Sequence, residues 1–525
     1  MRLVKITSSN VQIRSNDRMF DDIRINDLLN ISDGKIDFVL IVTDIKNTET
    51  ESYQDGELPF DMESFGDVMN LKEIDCSIIG SIDNGMFSTT IQKYPTTDVS
   101  IRKIQADEFE KMLAKYEKHG FCIGKYSDYG CNAYVNGNKL FQRHACILGN
   151  TGSGKSETVA KILEETSRLP GANVIVFDIH GEYSEISYVN SIKVGKDFPI
   201  PIWMFGFSSI VSDILKIKEE SATVVMTALR RAYKQVCPNG SENKPIYFDY
   251  RALINVLIQM NDEMVGTGEY YKTGDKAGME KTTKGEYNGK LGGVINQLED
   301  KLKDDRYNFM FDENLRQDYL NTVVNAILSP NKPVKNIDLS DVPHDVAIPI
   351  IGVLTRIAYD IQRLSDRDNV RPLVLFCDEA HVYIPNNFQL SASQRRMVEI
   401  FEEIAKEGRK FGITLFPATQ RPSELNKTIL AQCGNFIVMK LNNENDKSIV
   451  KSMLPDGNDS IVDSTTMFVP GDALVIGDAS PIPIKIHVDL ASERPLSRTI
   501  DFWDIWKKPF NINLESVIEE YLKSE

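Results

Sequence analysis

The stretch Gly149-Asn150-Thr151-Gly152-Ser153-Gly154-Lys155-Ser156 constrains this chain more than any other. It fits G-x-x-x-x-G-K-[ST], a glycine-rich turn whose backbone N–H groups face inward around a polyphosphate. Such a turn needs a strand before it and a helix after it, and both are legible. Ala145-Cys146-Ile147-Leu148 is a short apolar run, and Thr158, Val159, Ile162 and Leu163 follow at helical spacing. The N–H groups and the positive end of the new helix then point at one spot. Lys155 is placed to reach the β- and γ-phosphates, and the Ser156 hydroxyl to ligate Mg2+. The eight residues and Glu157 behind them are the expected nucleotide-binding segment, with ATP and Mg2+ as cofactors. Because Lys155 offers a phosphate contact and no core packing, Lys155→Ala is expected to end hydrolysis and leave the fold intact.

The second half of such a site is read from strand ends. Leu373-Val374-Leu375-Phe376-Cys377 is the most hydrophobic strand of the chain, and it runs into Asp378-Glu379. Asp378 is expected to hold Mg2+ through water and Glu379 to polarise the attacking water. Two adjacent acids on a surface loop would mean little; delivery by a buried strand gives the pair its meaning. The strand over 413–419 ends in Gln420, placed to sense the γ-phosphate or orient the water, although a polar residue in a turn would look the same. Arg409 lies between those two strands in Glu407-Gly408-Arg409-Lys410-Phe411-Gly412. It reads either as a cation supplied across a subunit boundary or as a solvated surface charge. The buried strand over 173–177 ends in Asp178-Ile179-His180-Gly181-Glu182-Tyr183, where parallel sheets bind ligands. No second His or Cys stands at ligand spacing from His180, which favours a hydrogen-bonded wall histidine over a zinc ligand. Glu182 is a candidate acid behind the direct contacts.

The remaining text sets the organisation. A chain of 525 residues has room for two or three domains. Residues 1–104 are β-rich and carry no phosphate-binding pattern; a small antiparallel barrel is expected there. Within it, 35–42 and 73–79 read as strands, 47–66 as an acidic surface loop and Asp83-Asn84-Gly85 as a hairpin turn. A helix over 105–118 leads into a doubly wound α/β domain spanning 105–500. That domain carries an insert at about 208–330 with a helix over 219–235. A polar, glycine-rich loop follows over 262–290, bearing Lys272, Lys276, Lys281, Lys284 and Lys290. The loop is either a DNA-facing element or solvated surface. Residues 501–525 are expected to brace a neighbour through an amphipathic helix over 514–522. The net charge of −16 argues against a generally basic nucleic-acid coat and leans towards a non-DNA partner, yet leaves room for a local basic ring. Seven scattered cysteines without a C-x-x-C pair fit a reducing cytoplasm rather than a zinc ribbon. No apolar run approaches the ~20 residues that span a bilayer, so no membrane partner is expected.

Five of these strings stand in one order between 143 and 425: Arg143-His144-Ala145-Cys146-Ile147-Leu148-Gly149, the Asp178 to Tyr183 string, Asp378-Glu379-Ala380-His381, the Glu407 to Gly412 string, and Ala418-Thr419-Gln420-Arg421-Pro422-Ser423. Together they resemble the HerA ATPases of the HerA/FtsK superfamily. The resemblance implies a RecA-like P-loop core behind a small amino-terminal barrel of the HAS type. It also implies a homo-hexameric ring with ATP at subunit boundaries and double-stranded DNA in the central channel. It gives Lys155, Ser156, Asp378, Glu379 and Gln420 roles on the subunit's own nucleotide, and Arg409 and Arg143 roles on the neighbour's. HerA proteins pair with the nuclease NurA in DNA-end processing, and in anti-phage systems with a sirtuin-like NAD-consuming subunit or another nuclease. Three functions follow as expectations: an ATP-driven DNA translocase or helicase, an ATPase ring that scaffolds and regulates a defence effector, and a conjugation or secretion ATPase. The last is disfavoured because coupling ATPases of that kind carry membrane anchors.

Overall fold

A computed structural model describes residues 2–7, 10–15, 22–32, 34, 36–49, 70–83, 86–89, 91, 94–96, 99–217, 223–366, 370–386, 390, 392–453, 459–480, 482–483, 485–497, 502–507 and 513–523. The most apolar segments assemble into one eleven-stranded sheet. Its spatial order begins Asn190–Lys193, Val334–Asp338, Val174–Asp178, Leu373–Cys377, Ile413–Thr419, Ala145–Leu148, Asn435–Val438. These strands run parallel, as a doubly wound α/β domain requires. Val334–Asp338, Val174–Asp178, Leu373–Cys377 and Ile413–Thr419 are buried at every position. A sheet covered on both faces has no solvent side to alternate with, so its strands read as unbroken apolar runs.

Beyond Asn435–Val438 the sheet departs from that plan. Asp472–Gly477, Lys485–Val488, Gly120–Tyr126 and Asn132–Asn136 continue it antiparallel. Two of these pairings follow from short connections: 478–484 and 127–131 leave no room for a crossover, which takes a dozen or more residues. At the centre, Phe376 and Phe416 pair across neighbouring strands with rings stacked 4.3 Å apart. His144 pins the entry of Ala145–Leu148. Its Nδ1 accepts from the Leu415 N–H at 2.9 Å, which leaves Nε2–H to donate to the Ala405 carbonyl at 2.9 Å. Burial holds this imidazole below its ordinary pKa, with the nearby Arg409 charge acting in the same direction.

Residues 2–103 form an antiparallel sheet in the order Arg2–Ile6, Asn10–Ser15, Asn70–Asp83, Asp37–Glu49, Leu28–Ser32, Ser100–Lys103, with Met86–Ser88 added on Asn70–Asp83. Its period-two alternation serves two cores. Leu29, Ile31, Leu40 and Val42 close a small interior of their own, whereas Leu28, Val39 and Ile41 pack into the main core with Phe109 and Tyr126. The strand-rich, antiparallel character matches expectation. Among the described residues no ladder closes the path from Ser100–Lys103 back to Arg2–Ile6. Asp83 pairs with Met86, the two-residue connection that Asp83-Asn84-Gly85 signals, although 84 and 85 lie outside the described residues. Of the expected loop over 47–66, the first three residues belong to the strand Asp37–Glu49 and 50–66 lie outside the described residues.

The insert contains the helices Thr223–Val236, Tyr250–Asp262, Gly292–Lys303 and Tyr319–Leu328. One expectation fails here. The stretch read as a polar loop is built around an antiparallel hairpin, Met264–Tyr270 against Glu280–Lys284. Both strands are solvent-facing, so no apolar stripe betrays them, and Gly266 and Gly268 interrupt the alternation. The carboxyl-terminal helices Phe502–Trp506 and Leu514–Lys523 expose Trp503, Trp506, Ile518 and Leu522. Among the described residues no helix is long and apolar enough to cross a membrane.

Two outcomes follow from the core. Phe416→Ala removes half of a stacked buried pair and is expected to cost about 3–5 kcal/mol in chemical denaturation. For His144 the folded-state pKa lies below the ordinary 6.5, so the unfolded chain takes up the proton first as pH falls. The neutral ring's contribution is full above 6.5 and is lost as pH drops through the folded value. Urea titrations from pH 8 to 5 should show this loss flattened in His144→Asn, below a lower plateau; an unchanged slope would contradict the assignment.

Candidate active site

The turn at 149–156 sits at the carboxyl end of Ala145–Leu148 and is tied to three neighbouring strand ends. The Gly149 N–H donates to the Thr419 carbonyl at 3.2 Å and the Asn150 N–H to the Lys440 carbonyl at 2.9 Å. The Ser153 carbonyl accepts from the Gly471 N–H at 2.9 Å. Glycine is required at two points for different reasons. Gly154 has φ +98°, and a Cβ on Gly149 would lie 2.6 Å from Ser153 Oγ and 2.8 Å from Met439 Cβ. The helix Lys155–Ser167 starts immediately behind, with its first N–H groups lacking intrahelical acceptors. A cavity of about 560 Å³ opens in front of this cradle. The P-loop and Glu157 form one wall, His180, Glu182, Glu379 and Gln420 the second, and Pro470, Gly471 and 487–490 the third.

Glu379 stands in the left-handed region at φ 44°, ψ 44°, a conformation that non-glycine residues rarely adopt outside functional sites. Its carboxylate ion-pairs with Lys155 Nζ and lies 3.2 Å from His381 Nδ1. Asp378 Oδ1 is 3.6 Å from the same ammonium. Burial pushes the Asp378 carboxyl up to about 7; Lys155 offsets part of the rise, and Glu182 and Glu379 add to it. Burial would raise Glu379 as well, but the His381 hydrogen bond and the Lys155 charge outweigh it and bring that carboxyl down to about 2. Burial likewise works against the Lys155 ammonium, and Asp378 and Glu379 more than compensate, leaving its pKa raised. The side chain of Lys155 is only 8% exposed. It is therefore the counter-ion of two buried acids, beside its expected phosphate contact, and the expectation that its loss leaves the fold undisturbed needs correcting.

The loop after Val174–Asp178 separates holding from reacting. Asp178 is fully buried and accepts from the Glu182 N–H, the Tyr183 N–H and Asn336 Nδ2, each at 3.0 Å. Those bonds use both carboxylate oxygens to fix the loop. His180 and Glu182 are left on the cavity wall, and Glu182 Oε2 is buried without a hydrogen-bond partner. Asp378 Oδ1 and Glu157 Oε2 share that condition. With the Ser156 hydroxyl at the start of the helix, the open donors are all oxygens, the ligand type a hard divalent cation takes.

Gln420 extends from the end of Ile413–Thr419 onto the cavity wall, and its Oε1 accepts from Thr151 Oγ1. Lys155, Ser156, Glu379 and Gln420 thus meet in one cavity, with Asp378 buried beside Lys155. Arg409 and Arg143 do not join them. Arg409 precedes the strand whose far end carries Gln420, and seven residues at about 3.3 Å each put those ends roughly 20 Å apart. Arg143 stands at the entry of Ala145–Leu148, exposed and ion-paired with Asp478. Both arginines flank His144 on the opposite edge of the sheet, and Arg409 has no carboxylate partner among the described residues. Sequence reasoning missed the third wall. Asp472 accepts from His487 Nδ1 at 2.9 Å and from Lys485 Nζ at 2.7 Å, and only the antiparallel ladder that sets Asp472 opposite His487 brings them together.

In the absence of nucleotide, Lys155→Ala leaves two buried carboxylates without a counter-ion. It is expected to cost about 3–5 kcal/mol, and Glu379→Gln in the same chain should recover part of that loss. Guanidinium denaturation of the three proteins checks this; a single mutant as stable as the parent would contradict the ion-pair reading.

Residues 121–358 match the family model described as the central domain of the helicase HerA. Over 388 residues the chain is 28% identical to a probable helicase of Methanocaldococcus jannaschii, covering 73% of this chain and 69% of that protein. It is 28% identical over 411 residues to the DNA double-strand break repair helicase HerA of Saccharolobus solfataricus, and 29% identical over 411 residues to that of Sulfurisphaera tokodaii. Each of these two alignments covers 76% of this chain and 75% of the relative. Among solved structures it is similar to VirB4 of Thermoanaerobacter pseudethanolicus, with TM-score 0.49 and 15% identity over 71% of this chain and 97% of that one. With the motif order between 143 and 425, the matches to the HerA central domain and to HerA helicases show a P-loop ATPase similar to the HerA proteins.

Proposed function

We propose that the chain assembles into a homo-hexameric ring that hydrolyses ATP to move double-stranded DNA through its centre, feeding an effector subunit in the cytoplasm. The effector is a NurA-like nuclease or a sirtuin-like or nuclease defence subunit. The observation that carries the ring is the division of the charged groups. The cradle, the acids and Gln420 share one cavity, while Arg143 and Arg409 lie exposed on the far edge, where only a neighbouring chain's nucleotide can meet them. The HerA relatives are named as DNA double-strand break repair helicases, which supports DNA as the cargo.

On this reading, ATP in the cradle draws Lys155 off Glu379 and onto the phosphates. Glu379 is then free to take up and polarise the attacking water, and Gln420 exchanges Thr151 for that water or the γ-phosphate. Mg2+ would supply charge neutralisation to the phosphates, with Ser156 holding it directly and Asp378 through water. Arg409 and Arg143 of the next subunit stabilise charge on the transferring phosphoryl group. Residues 1–104 are the amino-terminal barrel domain of this arrangement, 105–500 the motor with its insert, and 501–525 the brace whose exposed tryptophans rest on a neighbour.

A second reading, an ATPase ring that scaffolds and switches an effector without processive travel, draws on the net charge of −16 and the apolar carboxyl-terminal segment. Turnover measured with and without linear duplex DNA separates the two. The motor requires DNA-stimulated hydrolysis and binding that weakens steeply with salt; Glu379→Gln should lose the hydrolysis and keep the binding. Arg409→Ala should bind ATP, form a ring of six-chain native mass and fail to turn over. Mixing it with Glu379→Gln should restore part of the activity, because each mutant carries what the other lacks; no rescue would remove the cross-boundary role.

A further inference from the structure

The third wall of the nucleotide cavity has no part in phosphate chemistry, yet it is built as a site. A Cβ on Gly154 would lie 3.0 Å from the Gly471 nitrogen, and one on Gly471 would lie 2.9 Å from His487 Cε1. The P-loop, Gly471 and the imidazole are therefore layered in direct succession. Asp472, whose side chain is 4% exposed, fixes the ring: besides His487 and Lys485 it accepts from the Val469 N–H at 3.2 Å. Because Nδ1 donates to this carboxylate, Nε2 is left as a hydrogen-bond acceptor. The His487 side chain is 54% exposed and lines the cavity, and Leu490 adds an apolar surface on the same wall.

We propose that His487 and Leu490 form the base-binding half of the site, with Leu490 against the purine ring and His487 Nε2 accepting from an exocyclic amine. Adenine carries a donor N6 amine where guanine carries the acceptor O6, so this arrangement selects ATP over GTP. The inference rests on the ATPase reading of the cavity and assigns its specificity.

Equilibrium binding of ATP, GTP and inorganic triphosphate to the full chain tests it, with thermal melting to verify folding. His487→Ala should weaken ATP binding roughly tenfold, leave GTP little changed and so erase the preference. His487→Phe keeps an aromatic ring without the acceptor and should lose the preference too, whereas Leu490→Ala should weaken both nucleotides. Inorganic triphosphate should bind all three variants as it binds the parent. If the His487 variants keep the parent's ATP preference, or if they lose triphosphate binding along with ATP, the base-reading role is overturned. If Lys155→Ala binds ATP as well as the parent does, the nucleotide reading of the cavity itself is what fails.

Discussion

The ion pair between Lys155 and Glu379, with Asp378 beside it, is the interaction on which the rest of this molecule depends. Its partners are 224 residues apart in the chain, one on the helix behind the glycine turn and the other at the end of a central strand. All three groups are desolvated, and none tolerates burial alone. The His381 hydrogen bond and the Lys155 charge bring Glu379 down to about 2 against burial, while burial carries Asp378 up to about 7 with Lys155 offsetting part of the rise. The same ammonium that neutralises the acids is the one a triphosphate needs. On the proposed reading, binding exchanges partners instead of adding one, and the exchange frees the carboxylate assigned to polarise water.

That exchange works only if the acids are held stiffly, and the fold provides for it. A parallel sheet brings the ends of Ala145–Leu148, Leu373–Cys377 and Ile413–Thr419 to one edge. Glu379 is turned out of its strand in a left-handed conformation that the packing around it must sustain. Asp178 spends its carboxylate on backbone N–H groups, so the neighbouring loop cannot drift away from the cavity.

Legibility followed the range of the interaction. The glycine turn was readable because its backbone geometry dictates residue types locally, at Gly149 by crowding and at Gly154 by its positive φ. Leu373–Cys377 and its two acids were readable because a strand buried on both faces has only apolar side chains until it ends. The wall carrying His487 was not, since Asp472 and Lys485 meet it through an antiparallel register that no local pattern announces. The hairpin Met264–Tyr270 with Glu280–Lys284 was hidden for the opposite reason: exposed on both faces, it leaves no hydrophobic period to detect. Lys155 was read as a phosphate contact without its place as counter-ion, because a sequence does not say which carboxylates face which ammonium.

Strand length sets the last constraint. Arg409 and Gln420 bracket Ile413–Thr419, and a seven-residue extended segment cannot be shortened, so the arginine is kept roughly 20 Å from its own chain's glutamine. His144 makes that edge rigid, because its two ring nitrogens tie the segment between the arginines to Ala405 and Leu415 inside the core. Among the described residues, Lys155 is the one lysine or arginine on the cavity wall. A single chain thus offers one cation to a group that carries several negative charges at the transition state. Its remaining candidates face outward on a surface it cannot fold back upon. On the proposed reading, charge balance during phosphoryl transfer is completed by a second chain whose arginine edge meets this cavity, and repeating that unlike contact from chain to chain closes into a ring where the rotation between subunits allows it.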